Sequence, residues 1–364
     1  KILKAFNIQD FILKRFKKSQ DKYFGSLMKT TWVEEFAHPL VEMVGGLAFS
    51  GIIVFAHFRI KSGAMTAGDF VSFLTAMALF MDPVRKYSQA NIKLNQAKAA
   101  ANRIFGLLDF KEEIDNGNKT IMGFETKIEI KNLTFSYGEG EVIKDLSMEI
   151  KKGQKVGLVG LSGSGKSTLI NLLLGLYTVK PGSIFINDIS IENIKLSSLR
   201  NLFSLVSQDI FLFNDTVSEN LSIGNIYNEE ELNNALEIAY ADKFVKKLPD
   251  RLDTFIGDRG TKLSGGQQQR LTISRACLRN ADILLFDEAT SALDNESEKI
   301  VQKAMDKVAG DETVIAVAHR LSTIQDYDQI FVFHEGRLVE SGNHEYLMSL
   351  SGEYSKLYEL SQKS

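Results

Sequence analysis

A glycine-rich stretch, Gly160-Leu161-Ser162-Gly163-Ser164-Gly165-Lys166-Ser167-Thr168, constrains this chain more than any other segment. It matches the pattern GxxxxGK followed by Ser or Thr, in which backbone N–H groups turn inward around a phosphate. The glycines are needed because such a loop adopts backbone conformations that a Cβ would obstruct. Apolar runs at 156–159 and 169–174 predict the strand before the loop and the helix after it. The stretch therefore predicts a phosphate-binding loop between a strand and a helix.

The chemistry of this loop suggests roles for its side chains. The helix begins where the phosphates would sit, so its unsatisfied N–H groups and the positive end of its dipole face the anion. Lys166 would reach the β- and γ-phosphates, and the Ser167 hydroxyl would ligate Mg²⁺. We therefore predict that the loop binds a triphosphate together with Mg²⁺. The predicted phosphate-binding residues are Gly160, Ser162, Gly163, Gly165, Lys166, Ser167 and Thr168.

A second run, Ile283-Leu284-Leu285-Phe286, is followed at once by Asp287 and Glu288. Continuous apolar strands are typical of parallel sheets covered on both faces, and ligands bind at the carboxyl ends of such strands. Asp287 would hold Mg²⁺ directly or through water, and Glu288 would polarise the attacking water as a general base. Strands that end in Asp-Glu are common, so this interpretation depends on the phosphate loop.

Charge is distributed unevenly between two parts of the chain. Residues 1–110 carry 15 Lys/Arg and 8 Asp/Glu, whereas the remainder carries 28 and 38, within a net charge of −3. This asymmetry implies two environments.

Cys277 is the only cysteine in the chain, which excludes an intrachain disulfide and suits a cytosolic setting. We interpret it as a small buried helix residue.

The N-terminal part has the pattern of a membrane region. Residues 1–30 form a basic segment with apolar residues at helical spacing, and 41–58 contains one charged residue, at the short limit for a bilayer span. The uncharged run 70–81 fits a buried soluble helix equally well by length. Lys and Arg flank the two runs, which favours a hairpin with both ends in the cytoplasm. We predict spans at about 33–58 and 66–83, then a cytoplasmic helix extension to residue 108.

The remaining chain reads as a linker and a second domain. Residues 109–126 are polar and contain two glycines, which predicts a linker. From Lys127 onward, short β-rich runs alternate with helical ones, which predicts an α/β domain with a largely parallel sheet over residues 127–364.

The motif Leu263-Ser264-Gly265-Gly266-Gln267, followed by Gln268-Gln269-Arg270, resembles the signature of ATP-binding-cassette proteins. The chain from Lys127 to the C-terminus resembles their nucleotide-binding domain throughout. The fold implied is an α-helical transmembrane segment followed by an α/β P-loop nucleotide-binding domain. In this family the signature serves the opposite subunit's site. The resemblance thus implies that Ser264, Gly265, Gly266 and Gln267 bind ATP held by Lys166 of a second copy.

The same resemblance implies further roles, each at a position that matches a family motif. Tyr137 would stack on adenine, and Gln208 would sense Mg²⁺ and the attacking water. Asp294, in the stretch 291–294, would belong to the loop that communicates between the two sites. His319 would act as the switch histidine on the γ-phosphate. The implied catalytic residues are Glu288, His319 and Gln208, and the implied metal ligands are Ser167, Gln208 and Asp287.

The segment 254–260 and the fusion of membrane segments to the N-terminal side of the cassette resemble exporters. Residues 1–110 then resemble the last third of an exporter membrane domain, with a coupling helix at about 5–12 and four upstream spans absent. Residues 212–217 and 293–298 resemble the lipid A flippase and multidrug exporter group. The expectation is a homodimeric, ATP-driven exporter of a lipid-like or amphipathic cargo in the inner membrane, with the cassette in the cytoplasm.

Several alternatives stay open or are less favoured. A multidrug or peptide exporter would have the same architecture. An ATP-gated clamp of the chromosome-maintenance type would have long heptad repeats inserted between Gly160 and Leu263, and this chain has none. A hydrolysis-dead regulatory cassette is disfavoured because Lys166, Asp287, Glu288 and His319 are all present. The basic segment flanks apolar runs and the cassette is acidic, so we expect membrane lipids rather than nucleic acid as its partner.

Overall fold

The computed structural model describes residues 2–110, 113–138, 140–288, 294–318 and 320–363. The chain divides into two compact units, Lys1–Glu112 and Glu113–Ser364. The first unit is helical, and the second is an α/β domain.

Two long helices make up most of the first unit. Its helices are α1 (Ile2–Ala5), α2 (Gln9–Lys61) and α3 (Ala67–Leu108). Helix α3 begins with a capping box, in which Thr66 accepts from the Asp69 N–H and Asp69 accepts from the Thr66 N–H. This reciprocal cap satisfies two N–H groups that would otherwise lack partners. It marks where the helix starts after the turn that follows α2.

The predicted coupling helix at about 5–12 is not one helix in the structure. Helix α1 ends at Ala5 and α2 begins at Gln9. Between them Asn7 has a φ of 51°, in the left-handed region that interrupts a helix and that Asn tolerates better than most residues. The apolar spacing in the sequence was real, but it did not reveal this break.

The long helices leave many large apolar side chains exposed. Within the described residues, one stretch, Glu42–Lys61, is long and apolar enough to cross a membrane, while the apolar stretch Ala67–Phe80 is shorter. Phe55, Leu79 and Phe80 are each more than 60% exposed. Exposed apolar surface of this extent is typical of a face covered by lipid or by another chain.

The second unit alternates strands and helices, as the sequence predicts. Its strands are β1 (Lys127–Phe135), β2 (Ile143–Lys151), β3 (Lys155–Gly160), β4 (Ile184–Ile186), β5 (Ile189–Ser190), β6 (Phe203–Val206), β7 (Ile283–Asp287), β8 (Thr313–Val317), β9 (Gln329–His334) and β10 (Arg337–Gly342). Its helices are α4 (Lys166–Leu173), α5 (Leu196–Asn201), α6 (Val217–Ser222), α7 (Glu229–Ile238), α8 (Asp242–Val245), α9 (Gly265–Arg279), α10 (Asn295–Ala309), α11 (His344–Ser349) and α12 (Glu353–Lys363).

The strands form two sheets. The larger has the order β10-β9-β3-β8-β7-β6, and its strands are parallel except for β10, which runs antiparallel to β9. The smaller has the order β2-β1-β4-β5 and is antiparallel. The alternation of strands and helices in the sequence predicted the parallel sheet but not the antiparallel one. Buried and exposed residues alternate along much of β2, which is the signature of a sheet with one covered face.

The larger sheet is buried on both faces, and this explains its apolar strands. Leu158 of β3 belongs to a core shared with the antiparallel sheet, whereas the next residue, Val159, belongs to a core shared with α10 and α12. Successive side chains on a strand point to opposite faces, so both must be apolar here. A third core, built around α6 to α9, includes Leu221, Leu236 and Leu271.

Only part of the segment predicted as a linker lies outside the α/β domain, because residues from Glu113 onward belong to the second unit. Arg200 forms an ion pair with Glu113, and Asp115 accepts from the Leu196 N–H at 3.1 Å. The Phe124 N–H donates to Asp282 at 2.6 Å. Polarity alone predicted a linker over 109–126, but from Glu113 onward these groups bond to the α/β domain and hold residues 113–126 on its surface.

Candidate nucleotide site

The phosphate-binding loop connects β3 to α4, as the sequence predicts. Gly160, Gly163 and Gly165 have φ values of 153°, 79° and 102°. At Gly160 a Cβ would lie 2.3 Å from the Phe333 carbonyl oxygen, so a side chain is excluded by space as well as by conformation. The loop therefore presents backbone rather than side chains to whatever it binds.

Lys166 is buried at the start of α4, with 6% of its surface exposed. Its ammonium donates to the carbonyl oxygens of Gly160 and Leu161, each at 2.9 Å, and to Ser164 Oγ at 3.2 Å. Burial lowers the pKa of Lys166, and the charges of Glu288 and Asp287 oppose this change. The ammonium thus has three donors aimed along the loop, in a position to contact phosphate oxygens.

Residues far apart in sequence meet at the carboxyl end of β7. Ser167 Oγ donates to Asp287 Oδ1 at 3.0 Å, across the parallel sheet edge that the sequence analysis predicted as the binding edge. Burial raises the pKa of Asp287, and Glu288 and Asp209 raise it further, while the Ser167 hydrogen bond and Lys166 lower it. A carboxylate whose charge is disfavoured in this way is suited to a cation.

Glu288 occupies the turn that follows β7. Its φ is 47°, which is strained for a residue with a side chain, and its N–H donates to the Val317 carbonyl oxygen at 3.2 Å. The hydrogen bond to the end of β8 holds this turn against the sheet. Gln208 follows the neighbouring parallel strand β6 by two residues, so it lies at the same edge.

The residues present fit a magnesium ion bound together with phosphates. Among the described residues no group of three or more His, Cys, Asp or Glu side chains could hold a metal. Mg²⁺ usually takes one or two protein oxygens and completes its shell with water and phosphate. Ser167 and Asp287 supply such oxygens within hydrogen-bond distance of each other.

Tyr137 is linked to the phosphate loop by its hydroxyl, which donates to Thr168 Oγ1 at 3.3 Å. Its ring is 51% exposed and contacts Phe135 and Tyr177 edge to face, with centroids 5.0 Å and 4.9 Å away. Tyr177 was not predicted from the sequence, because a loop tyrosine forty positions further along carries no periodic or motif signal. Ser164 and Asp209 were not predicted either, since their roles depend on spatial neighbours.

The signature motif forms a second group of residues, at the start of α9. Ser264 is the N-cap, and it forms a capping box with Gln267. Gly266 faces α10, since a Cβ there would lie 2.8 Å from Ser297 Oγ. Asp294 caps α10 by accepting from the Ser297 N–H at 3.1 Å, and these hydrogen bonds lower its pKa. The structure thus brings Asp294 close to the signature.

Among the residues that the structure describes, those at the phosphate loop and the signature residues at the start of α9 are not connected by hydrogen bonds of the Ser264 and Gln267 side chains. Within the described part of the chain, the hydrogen bonds of the Ser264 and Gln267 side chains stay inside the capping box. Two predictions lie outside the described residues: His319, and the part of the 291–294 loop that precedes Asp294.

A β-strand, a glycine-rich loop and a helix, with an acidic strand end beside them, define a P-loop nucleotide-binding domain. Family comparison extends this. The ABC transporter family model matches residues 143–291, and the model of the ABC transporter transmembrane region matches residues 1–84. The chain belongs to the ATP-binding-cassette transporter family, with a transmembrane exporter region followed by an ATP-binding domain.

Curated relatives and a solved structure agree with this assignment. The chain is 40% identical over 363 residues to an ATP-dependent lipid A-core flippase of Desulfotalea psychrophila, covering 99% of this chain and 64% of the relative. It is 41% identical to the flippase of Methylobacillus flagellatus, covering 98% and 61%. A bacterial Atm1-family ABC exporter with ATP bound superposes with a TM-score of 0.86 at 31% identity, covering 98% of this chain and 63% of that one.

The chain therefore spans somewhat less than two thirds of the length of these relatives. The transmembrane match shows that it is part of a membrane protein, and the exporter fold implies a cytoplasmic cassette.

Proposed function

We propose that this chain hydrolyses ATP to drive the flipping or export of a lipid-like, amphipathic cargo across the bacterial inner membrane. The observation that carries the hydrolytic part is the Ser167–Asp287 hydrogen bond, which places a hydroxyl and a carboxylate beside buried Lys166 and next to Glu288. The cargo follows from the relatives, which are named lipid A-core flippases.

In the proposed mechanism each side chain at the phosphate loop has a separate task. Lys166 exchanges its internal hydrogen bonds for phosphate oxygens, and the N–H groups of the loop and of α4 surround the β-phosphate. Ser167, Asp287 and Gln208 would hold Mg²⁺, which when bound supplies positive charge to the phosphates. Glu288 accepts the proton of the attacking water, and His319 and Gln208 orient the γ-phosphate and that water.

We further propose that the site is completed by a second copy of the chain. The N-terminus of α9 carries N–H groups and a positive dipole end suited to an anion, and Ser264 and Gln267 satisfy only part of them. With Gly265, Gly266 and Asp294, this helix end would bind ATP held by the other copy. Closure of two such sites would favour one state of the membrane region, and hydrolysis would release it.

The first test is ATP hydrolysis by the complete gene product in lipid bilayers, comparing wild type with Glu288→Gln. Removing the general base should lower turnover by roughly 10²- to 10⁴-fold while ATP binding is retained. Glu345→Gln, on α11, is the matched control and should leave turnover unchanged. Normal turnover in Glu288→Gln would remove Glu288 from the proposed catalytic role.

The cargo is tested in the same bilayers with two kinds of added molecule. Stimulation of Glu288-dependent hydrolysis by a lipopolysaccharide-core lipid supports the flippase assignment. Stimulation by amphipathic drugs or peptides alone would reassign the protein as a multidrug or peptide exporter of the same architecture, without affecting the proposed ATP site.

A further inference from the structure

Three aromatic rings form a closed cluster beside the phosphate loop. The centroids of Phe135, Tyr137 and Tyr177 lie 5.0 Å, 4.9 Å and 5.8 Å from one another, and both contacts of Tyr137 are edge to face. Phe135 is 9% exposed, whereas Tyr137 and Tyr177 are about half exposed. The cluster is thus buried at Phe135 and open to solvent at the two tyrosines.

We propose that Tyr177 is a positioning residue for adenine, which it serves by holding the ring of Tyr137 in place. This inference rests on the role proposed above for Tyr137. An exposed aromatic side chain that must be ordered upon binding loses affinity, because its rotamer freedom is lost at that moment. Contacts that order the ring beforehand remove this loss.

Two kinds of contact order Tyr137. At one end its hydroxyl donates to Thr168 Oγ1 in the first turn of α4, which fixes the ring relative to the phosphate loop. Along the ring, Phe135 and Tyr177 contact it at interplanar angles of 88° and 82°. Edge-to-face pairs are favourable beyond the area they bury, because the positive edge of one ring meets the negative face of the other.

Tyr177 contributes only its ring to this arrangement. Among the described residues its hydroxyl makes no hydrogen bond, in contrast to that of Tyr137. Tyr177 also lines a cavity of about 290 Å³, whose lining includes residues 113–117, 175–179, Ile191 and Leu199, so the ring is not enclosed by packing on that side. The phenyl ring is therefore the part that matters, and Phe should replace Tyr at this position.

The test compares binding of two ligands to the complete chain: ATP, and inorganic tripolyphosphate, which lacks the base. Tyr177→Leu should weaken ATP binding by about three- to tenfold, as expected for loss of an edge-to-face pair. Tripolyphosphate binding should stay unchanged, and Tyr177→Phe should bind both ligands like wild type. Tyr346→Leu, an exposed tyrosine on α11, is the control and should alter neither.

Comparison with Tyr137→Leu separates this inference from the proposed function. If Tyr137→Leu weakens ATP binding and Tyr177→Leu does not, the inference is wrong and the adenine role of Tyr137 stands. If neither weakens it, the adenine role itself is wrong. Equal weakening of ATP and tripolyphosphate binding by Tyr177→Leu would show general damage to the loop and would also overturn the inference. This would hold even if Tyr177→Phe bound both ligands like wild type.

Discussion

At the scale of single residues, the site is organised around buried charge. Lys166 and Asp287 lie on neighbouring parts of the site, and burial shifts their pKa values in opposite directions, each toward the neutral form. Their mutual attraction only partly offsets the burial. Such unfavourable charge is the kind that a triphosphate and its cation would relieve.

The pKa shift of Asp287 predicts a pH-dependent cost in stability. Because its pKa in the folded protein lies above the ordinary value of 3.8, ionisation destabilises the fold above the folded pKa and has no effect well below 3.8. Asp287→Asn should therefore raise the unfolding midpoint without nucleotide by roughly 2–4 °C at pH 7. The gain should shrink as the pH falls toward 4, which thermal unfolding at the two pH values will measure.

Asp294 provides a control of opposite sign. Hydrogen bonds from Ser297 lower its pKa, so its ionised form contributes stability above pH 3.8 that is lost as the pH falls through the folded pKa. Asp294→Asn should lower the midpoint slightly at pH 7. A gain for both variants, or a gain for Asp287→Asn that does not depend on pH, would contradict the electrostatic explanation.

The residues found from sequence and those missed differ in how local their signal is. Lys166, Ser167 and Asp287 sit in contiguous motifs whose chemistry requires their type and spacing, and the structure places Ser167 against Asp287. Tyr177 and Asp209 act through neighbours that only the fold brings close. No pattern along the chain marks such residues, so they were not predicted.

At the scale of elements, the start of α9 is fitted closely to the start of α10. A Cβ at Gly266 would lie 2.8 Å from both the Cβ and the Oγ of Ser297. The glycine in the signature is thus required by helix packing as well as by the proposed contact with phosphate.

This packing predicts a reversal in a double-mutant cycle. Gly266→Ala should destabilise the protein by about 1–3 kcal/mol, because the added methyl group overpacks the contact. In a Ser297→Gly background the same change should be neutral or slightly stabilising, since the clash is gone and Ala favours helix. Denaturant unfolding measures both. An equal loss in the two backgrounds would mean that the clash with Ser297 is not the cause.

The elements that the sequence predicted least well are those that depend on pairing. The apolar run of β7 predicted a strand covered on both faces, and it lies between β6 and β8 in the parallel sheet. The antiparallel sheet was not predicted, because the sequence of a strand such as β1 does not show whether its neighbouring strand runs parallel or antiparallel to it. At 5–12 the apolar spacing predicted one helix, and the left-handed Asn7 divides it.

At the scale of the whole molecule, the two units differ in what covers their apolar surface. The α/β unit buries its own, in three cores, whereas the helical unit exposes large apolar side chains along α2 and α3. An independent core is what allows a domain to fold alone. The cassette should therefore not need residues 1–112 to fold.

A fragment of residues 113–364 should fold and bind ATP with the affinity of the complete chain. At an ATP concentration of about 100 times Kd, binding should stabilise it by about 2.7 kcal/mol. The upward shift of the unfolding midpoint measures this, and Lys166→Met should abolish the shift. A folded fragment that shows no shift, beside a complete chain that does, would place part of the nucleotide site in the first unit.

The hydrogen bonds of Lys166 also bear on which anions the loop admits. The ammonium already has three oxygen acceptors within 3.2 Å, all supplied by the loop itself. An incoming anion must replace these three hydrogen bonds. The exchange is therefore favourable only for an anion that makes several contacts with the loop at once. Chloride and free phosphate can make fewer contacts than a triphosphate. We therefore expect the loop to bind small anions more weakly than a triphosphate, because the lysine's own partners compete with them.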